Sequence, residues 1–250
     1  MEIGQGKPCA FFAYGIIIID NAKTICMKLS LAGIILFICT GCLYSQQNEL
    51  LINKIDEQLT KGQLTLSSIL SDTVYMSLHS NTAFREVVKK HATAGKLIMG
   101  NKNEPGKKIM VKGEIKTQEG KAIADALVYV YQTSDKGWYS DTAAHVLQNE
   151  GDMRHARLFG YFKTSRDGKF EFETIQPKGY PNSDLPAHIH IAVWKNNNLV
   201  SGLPGELLFD DDPRLTPERK KRSVNDGFLI EKNKGTLQNP LYHYSLIAKE

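Results

Sequence analysis

Residues 188–194 read His188-Ile189-His190-Ile191-Ala192-Val193-Trp194, and their two-residue alternation decides the fold class. Side chains on an extended strand point alternately to opposite faces. Ile189, Ile191 and Val193 therefore share one face, fit for burial. His188 and His190 share the other, ~7 Å apart along the strand. Two imidazoles on one face suit a shared metal ion or a pair of exposed or hydrogen-bonded histidines, and the H-x-H spacing alone favours the second.

The same period recurs on either side: IMVKGEI at 109–115, ALVYVYQ at 126–132, KFEFETI at 169–175, and YHYSLI at 242–247 with Leu241 leading. Turn signals separate several of them, at Gln118-Glu119-Gly120, Asp135-Lys136-Gly137 and Arg166-Asp167-Gly168. Many short strands joined by long polar connections predict an all-β core, an antiparallel β-sandwich with long loops, over residues 109–250. Residues 46–108 predict a helical and linker region. There Leu51, Ile55 and Leu59 recur at i, i+4, i+8, and Phe84, Val87, Val88 and His91 form a second stripe. His91 is expected at a core boundary, and Asn101–Lys108 (NKNEPGKK) reads as the linker.

All four cysteines (Cys9, Cys26, Cys39, Cys42) precede residue 43. The body therefore holds neither a disulfide nor a thiolate-bound metal, and any metal there uses oxygen and nitrogen ligands, which favours hard ions such as Fe(III). A net charge of +4 over 250 residues is small. The run Arg219-Lys220-Lys221-Arg222 reads as a solvated face, so no nucleic-acid partner is expected. Residues 1–45 predict an export segment. Lys28 precedes a short apolar stretch, LSLAGIILFICTGCL at 29–43, which is the layout of a signal sequence with Met27 as a plausible start. The stretch is short for a membrane span, which needs about 20 apolar residues. Thr40-Gly41-Cys42 resembles a lipobox, with Cys42 lipidated as a membrane anchor, and cleavage after Ser45 is the alternative. An uncleaved anchor helix is a third. Each predicts an exported body: periplasmic, lipid-anchored or secreted.

Tyr180 stands eight residues before His188, between Gly179 and Pro181, and so sits on a turn rather than in a core strand. Tyr139, in Gly137-Trp138-Tyr139-Ser140, follows a strand and a turn. Loops on a rigid sandwich are where functional side chains concentrate.

From Val111 to Pro213 the chain resembles the catalytic domain of the intradiol ring-cleavage dioxygenases, the catechol 1,2- and protocatechuate 3,4-dioxygenase family. The resemblance is carried in collinear order by Gly113-Glu114-Ile115 with Gly120–Ala126, Val130-Tyr131-Gln132 with Gly137-Trp138-Tyr139, Thr164–Phe170, Thr174–Pro177, Gly179-Tyr180-Pro181, Pro186–His190, and Leu207-Leu208-Phe209 with Asp212-Pro213. It implies a non-haem Fe(III) site with Tyr139 and Tyr180 as phenolates and His188 and His190 as neutral imidazoles. A catechol-like substrate would displace Tyr180, the more labile tyrosinate, and O2 would open the ring to a cis,cis-muconate-type diacid. The longer N-terminal helical region of the family often supports a homodimer, which residues 47–104 leave open.

Two positions depart from the family pattern. Leu185 stands where an arginine usually precedes Pro-Ala-His-Ile-His, and Glu206 where a glutamine is common. Arg157 or Arg154 is expected to supply the missing positive charge, while His145 and His155 in the same loop are expected at the surface or behind the ligands. Trp138 and Trp194 are expected to pack at the pocket boundary. Two alternatives stay open: an iron-bound but catalytically altered relative, and a non-catalytic binding module of the carboxypeptidase-regulatory type, whose opening hairpin resembles Val111–Gln132.

Overall fold

Each alternating segment becomes a strand. The computed structural model describes residues 31–140, 156–201 and 205–248. Its strands are β1 (Lys96–Ile98), β2 (Lys108–Lys116), β3 (Leu127–Gln132), β4 (Leu158–Lys163), β5 (Lys169–Ile175), β6 (His188–Lys195), β7 (Asn198–Leu199), β8 (Glu206–Phe209), β9 (Leu229–Glu231) and β10 (Leu241–Ile247). They form a four-stranded sheet in the order β1-β5-β2-β10 and a six-stranded sheet in the order β4-β3-β6-β8-β9, with β7 paired to β6. The central pairs β2–β5, β4–β3, β3–β6 and β6–β8 are antiparallel, as expected. Three outer pairs, β1–β5, β2–β10 and β8–β9, are parallel.

The sheets face each other through the apolar half of each strand. Val111 and Ile115 of β2, Phe170 and Phe172 of β5 and Tyr242 and Tyr244 of β10 meet Val128, Val130, Ile189, Ile191, Val193 and Phe209 in one core. Phe162 of β4 packs on Phe170 and Phe172, and Phe209 on Tyr242. Burying each such side chain contributes about 1.5–3 kcal/mol, so this alternation is the main driving force for the sandwich.

The chain divides into two compact units, Met1–Leu43 and Tyr44–Glu250. Of the first, the described part is the opening of helix α1 (Leu31–Thr60); the rest of the expected export segment lies outside the described residues. Among the described residues no helix is long and apolar enough to cross a membrane. Within the second unit, α1 buries Ile55 and packs Leu59 against the core, as expected, while Ile52 rather than the exposed Leu51 completes the stripe. Helices α2 (Leu66–Ser71) and α3 (Thr82–Lys90), with a 3-10 turn at Thr73–Leu78 between them, join the same core through Ile69, Leu70, Leu78, Phe84 and Val88. His91 ends this stripe at the boundary, its Nε2 2.6 Å from Asp56 Oδ1. A fourth helix, α4 (Pro217–Asn225), carries the basic run, where Arg219 pairs with Asp184 and Lys220 with Asp210.

Arg85 pins α3 to the six-stranded sheet. It is buried, and its guanidinium donates to Tyr129 Oη (2.6 Å), His79 O (2.7 Å) and Ala156 O (3.0 Å) while lying over the Phe159 ring. Ala156 is the first described residue after 141–155, so this contact fixes the base of that connection.

Candidate metal centre

The histidine pair is set by strand β6. Ile189, Ile191 and Val193 are buried against the core, and His188 and His190 project from the opposite face of the six-stranded sheet, half-buried. The antiparallel register places Tyr131 of β3 and Glu206 of β8 directly beside His190. The Tyr131 ring stacks on His190 at 4.3 Å and 5°, and Glu206 Oε1 lies 3.0 Å from His190 Nδ1. His188 Nδ1 lies 2.8 Å from Pro186 O. A carbonyl or carboxylate oxygen only accepts, so each Nδ1 carries a ring hydrogen, and in the neutral imidazole that a metal binds each Nε2 is left with a lone pair.

The tyrosines arrive on two loops that press together. After β3, Ser134 N donates to Trp138 O (2.8 Å) and Gly137 N to Ser134 O (3.0 Å), closing the turn that delivers Tyr139. Arg157 N then donates to Tyr139 O at 2.8 Å. The loop after β5 is sewn to the same place: Gln132 Nε2 donates to Ile175 O, Thr133 Oγ1 to Lys178 O, and Lys178 N to Ser134 O. Arg214 holds its far side through Tyr180 O and Leu185 O. Gly137 has a φ of +76°, and a Cβ there would lie 2.4 Å from Gly179 O. Only glycine permits both that conformation and that approach.

The four predicted ligands meet. Tyr139 Oη is 2.7 Å from Tyr180 Oη and 2.9 Å from His190 Nε2. Tyr180 Oη is 3.3 Å from His188 Nε2, and the two Nε2 atoms are 3.1 Å apart. Both tyrosines are buried. With both ring hydrogens on Nδ1, the contact between the two Nε2 atoms has no hydrogen in it. Two lone pairs at that distance repel, and a cation between them removes the repulsion. Donor atoms about 3 Å from one another are also what ligands ~2.1 Å from a common ion present. Among the described residues no group of three His, Cys, Asp or Glu side chains forms such a cluster, so the phenols complete this donor set. Two hard oxygens and two imidazoles fit a ferric ion.

Other predicted residues are placed differently. The Arg157 guanidinium makes a two-pronged pair with Glu104 (2.7 and 2.6 Å), which is buried although its segment reads as a linker. The charge expected to serve the site is thus neutralised by a carboxylate. Arg154, His145 and His155 lie outside the described residues. Leu185 is 47% exposed on the rim, and Trp194 is half-buried on the histidine face. Lys136 Nζ lies over the Trp138 ring at 5.5 Å. Glu206, which departs from the family's usual glutamine, faces His190. Tyr131, Glu104 and Arg214 carry no local sequence signal; only strand register and tertiary contact bring them to the site.

A family model described as Dioxygenase matches residues 82–245, more than half of the chain and the whole of this donor set. The chain belongs to the intradiol ring-cleavage dioxygenase family. This family member is 28% identical over 131 residues to catechol 1,2-dioxygenase 1 of Acinetobacter lwoffii, a match covering 46% of this chain and 40% of that one. It is 30% identical over 139 residues to the protocatechuate 3,4-dioxygenase beta chain of Burkholderia cepacia, covering 50% and 58%. The solved structure of catechol 1,2-dioxygenase from Acinetobacter sp. ADP1, inhibited by bound mercury, superposes with a TM-score of 0.47 at 18% identity, covering 64% and 58%. The chain spans about half the length of these relatives.

Proposed function

We propose that this family member is a non-haem Fe(III) intradiol dioxygenase that opens a catechol-type ring with O2 to a cis,cis-muconate-type diacid. The observation that carries this is the meeting of Tyr139, Tyr180, His188 and His190, with both imidazole lone pairs turned inward. Ferric iron bound there would supply the Lewis acidity that favours the deprotonated catecholate, the electron-rich form able to meet O2. The phenols surrender their hydrogens to bind such an ion, because a trivalent cation lowers a tyrosine pKa far below its ordinary ~10. Tyr139 is held by two short contacts, to Tyr180 and His190. Tyr180 Oη lies 2.7 Å from Tyr139 Oη and 3.3 Å from His188 Nε2. By its resemblance to the family, Tyr180 is the phenol that would give way to an entering catechol, and its freed oxygen would be the base for one of the two catechol hydrogens. His188 and His190 stay fixed through their Nδ1 partners.

Aerobically purified, iron-loaded protein is expected to be red to burgundy from tyrosinate-to-iron charge transfer. It should consume O2 when catechol, protocatechuate or hydroxyquinol is added. A colourless iron-replete sample would exclude the ferric reading altogether. A coloured sample that consumes no O2 with any of the three would favour the altered relative. Leu185 gives that second reading its support, since an exposed leucine occupies the place of a rim cation. A regulatory-type binding module has no use for the four-donor cluster. We further propose export, on residues 27–43; N-terminal sequencing and acyl labelling of mature protein distinguish lipidated Cys42 from a start at Gln46.

A further inference from the structure

The two candidate imidazole ligands are not equivalent. His188 donates its Nδ1 hydrogen to a neutral carbonyl, Pro186 O at 2.8 Å, whereas His190 donates to a carboxylate, Glu206 Oε1 at 3.0 Å. The second contact is built into the backbone, because His190 and Glu206 are directly paired across β6 and β8. Both side chains are only 19% exposed, so the negative charge is weakly screened by water. On the other flank the Tyr131 ring lies parallel to the imidazole and blocks its rotation. The ring is therefore held in one plane and one tautomer, with a full negative charge behind it.

We propose that Glu206 is a positioning residue that makes His190 the stronger nitrogen donor of the centre, and so holds the metal in its ferric state. The inference rests on the ferric reading above. A carboxylate behind an imidazole pulls its Nδ1 hydrogen outward and raises electron density on Nε2, which strengthens the bond to a cation. The glutamine common in the family at this place also offers an acceptor oxygen, but no charge. Glu206→Gln thus isolates the charge from the hydrogen bond, and Glu206→Ala removes both.

The test is made on iron-loaded protein by chelator competition, visible absorption and the Fe(III)/Fe(II) midpoint potential. Glu206→Gln is expected to weaken Fe(III) binding about tenfold, and Glu206→Ala by up to about 100-fold. Both should raise the midpoint potential. Both should also move the tyrosinate charge-transfer band to longer wavelength, because a weaker imidazole leaves the iron a better electron acceptor. Melting curves of the metal-free proteins report folding separately. A carboxylate that merely supports the strand would lower the melting temperature and leave the band of the folded fraction in place. That result, or a coloured wild type whose band and iron affinity survive Glu206→Gln unchanged, overturns the assignment while leaving the ferric reading standing. A colourless wild type overturns both.

Discussion

Tyr139 is tied into the centre at both ends: its hydroxyl touches both Tyr180 and His190 within 2.9 Å, and its backbone carbonyl receives Arg157 N. Replacing that hydroxyl with hydrogen deletes a donor without disturbing the ring, which packs against Tyr131 and Tyr180. Tyr139→Phe is expected to lower ferric affinity by roughly 100-fold or more, above the range for residues behind a ligand. It should cost the fold no more than about 1.5 kcal/mol, the net value of an ordinary hydrogen bond. Chelator competition together with urea unfolding of the metal-free protein checks both halves. These donors were legible one by one in the sequence, because two histidines at i, i+2 on a strand and two turn tyrosines are local patterns. Their partners were not. Whether Glu206 lies beside His190 depends on which residues of β6 and β8 face each other, and no spacing encodes that register.

At the scale of elements, the site depends on two loops meeting at Gly137 and Gly179. Gly137→Ala places a methyl group in a left-handed conformation and within 2.4 Å of Gly179 O. The strain costs about 1–3 kcal/mol, and the loops must separate to relieve it, which pulls Tyr139 from Tyr180. The variant is expected to keep its sandwich by circular dichroism yet lose most of its iron colour. Of the five strands read from the sequence, β2, β5, β6 and β10 largely alternate buried with more open positions, while β3 is buried from Val128 to Gln132 and shows instead through its β-branched and aromatic run. Strand β4 was not among them: in Leu158-Phe159-Gly160 both faces are buried, under α-helices on one side and the core on the other, so polarity does not alternate. Its Gly160 leaves room for the Leu97 side chain, whose Cδ2 would lie 2.2 Å from a Cβ there. Strands β1, β7, β8 and β9 are four residues or shorter, too short to show any period. On α1 only Leu51 was misassigned, because Leu51 and Ile52 are equally apolar and only the packing distinguishes them.

The unit spanning residues 44–250 ties its helices to the sandwich through buried polar groups whose protonation matters. His79 donates from Nδ1 to Arg157 O at 2.8 Å and stacks on Phe84. Burial holds its pKa below the ordinary histidine value, and the Arg85 and Arg157 guanidiniums push in the same direction. An unfolded chain then takes up a proton at a higher pH than the folded one. The stability His79 contributes is fully present above about pH 6.5 and is lost as pH falls from there toward the lowered folded value. His79→Gln, which keeps a donor and cannot titrate, is expected to flatten that decline. Urea unfolding of metal-free protein between pH 8 and pH 5 measures the difference in slope.

Strand β6 carries odd-numbered residues inward and even-numbered residues outward, without exception from His188 to Val193. Heredity can therefore act on the two halves of one short segment almost independently. Variation at 189, 191 and 193 is filtered by whether the chain folds at all, while variation at 188, 190 and 192 is filtered by what the molecule can hold. A saturation library across the strand, sorted once for expression and once for redness, should divide by the parity of the residue number.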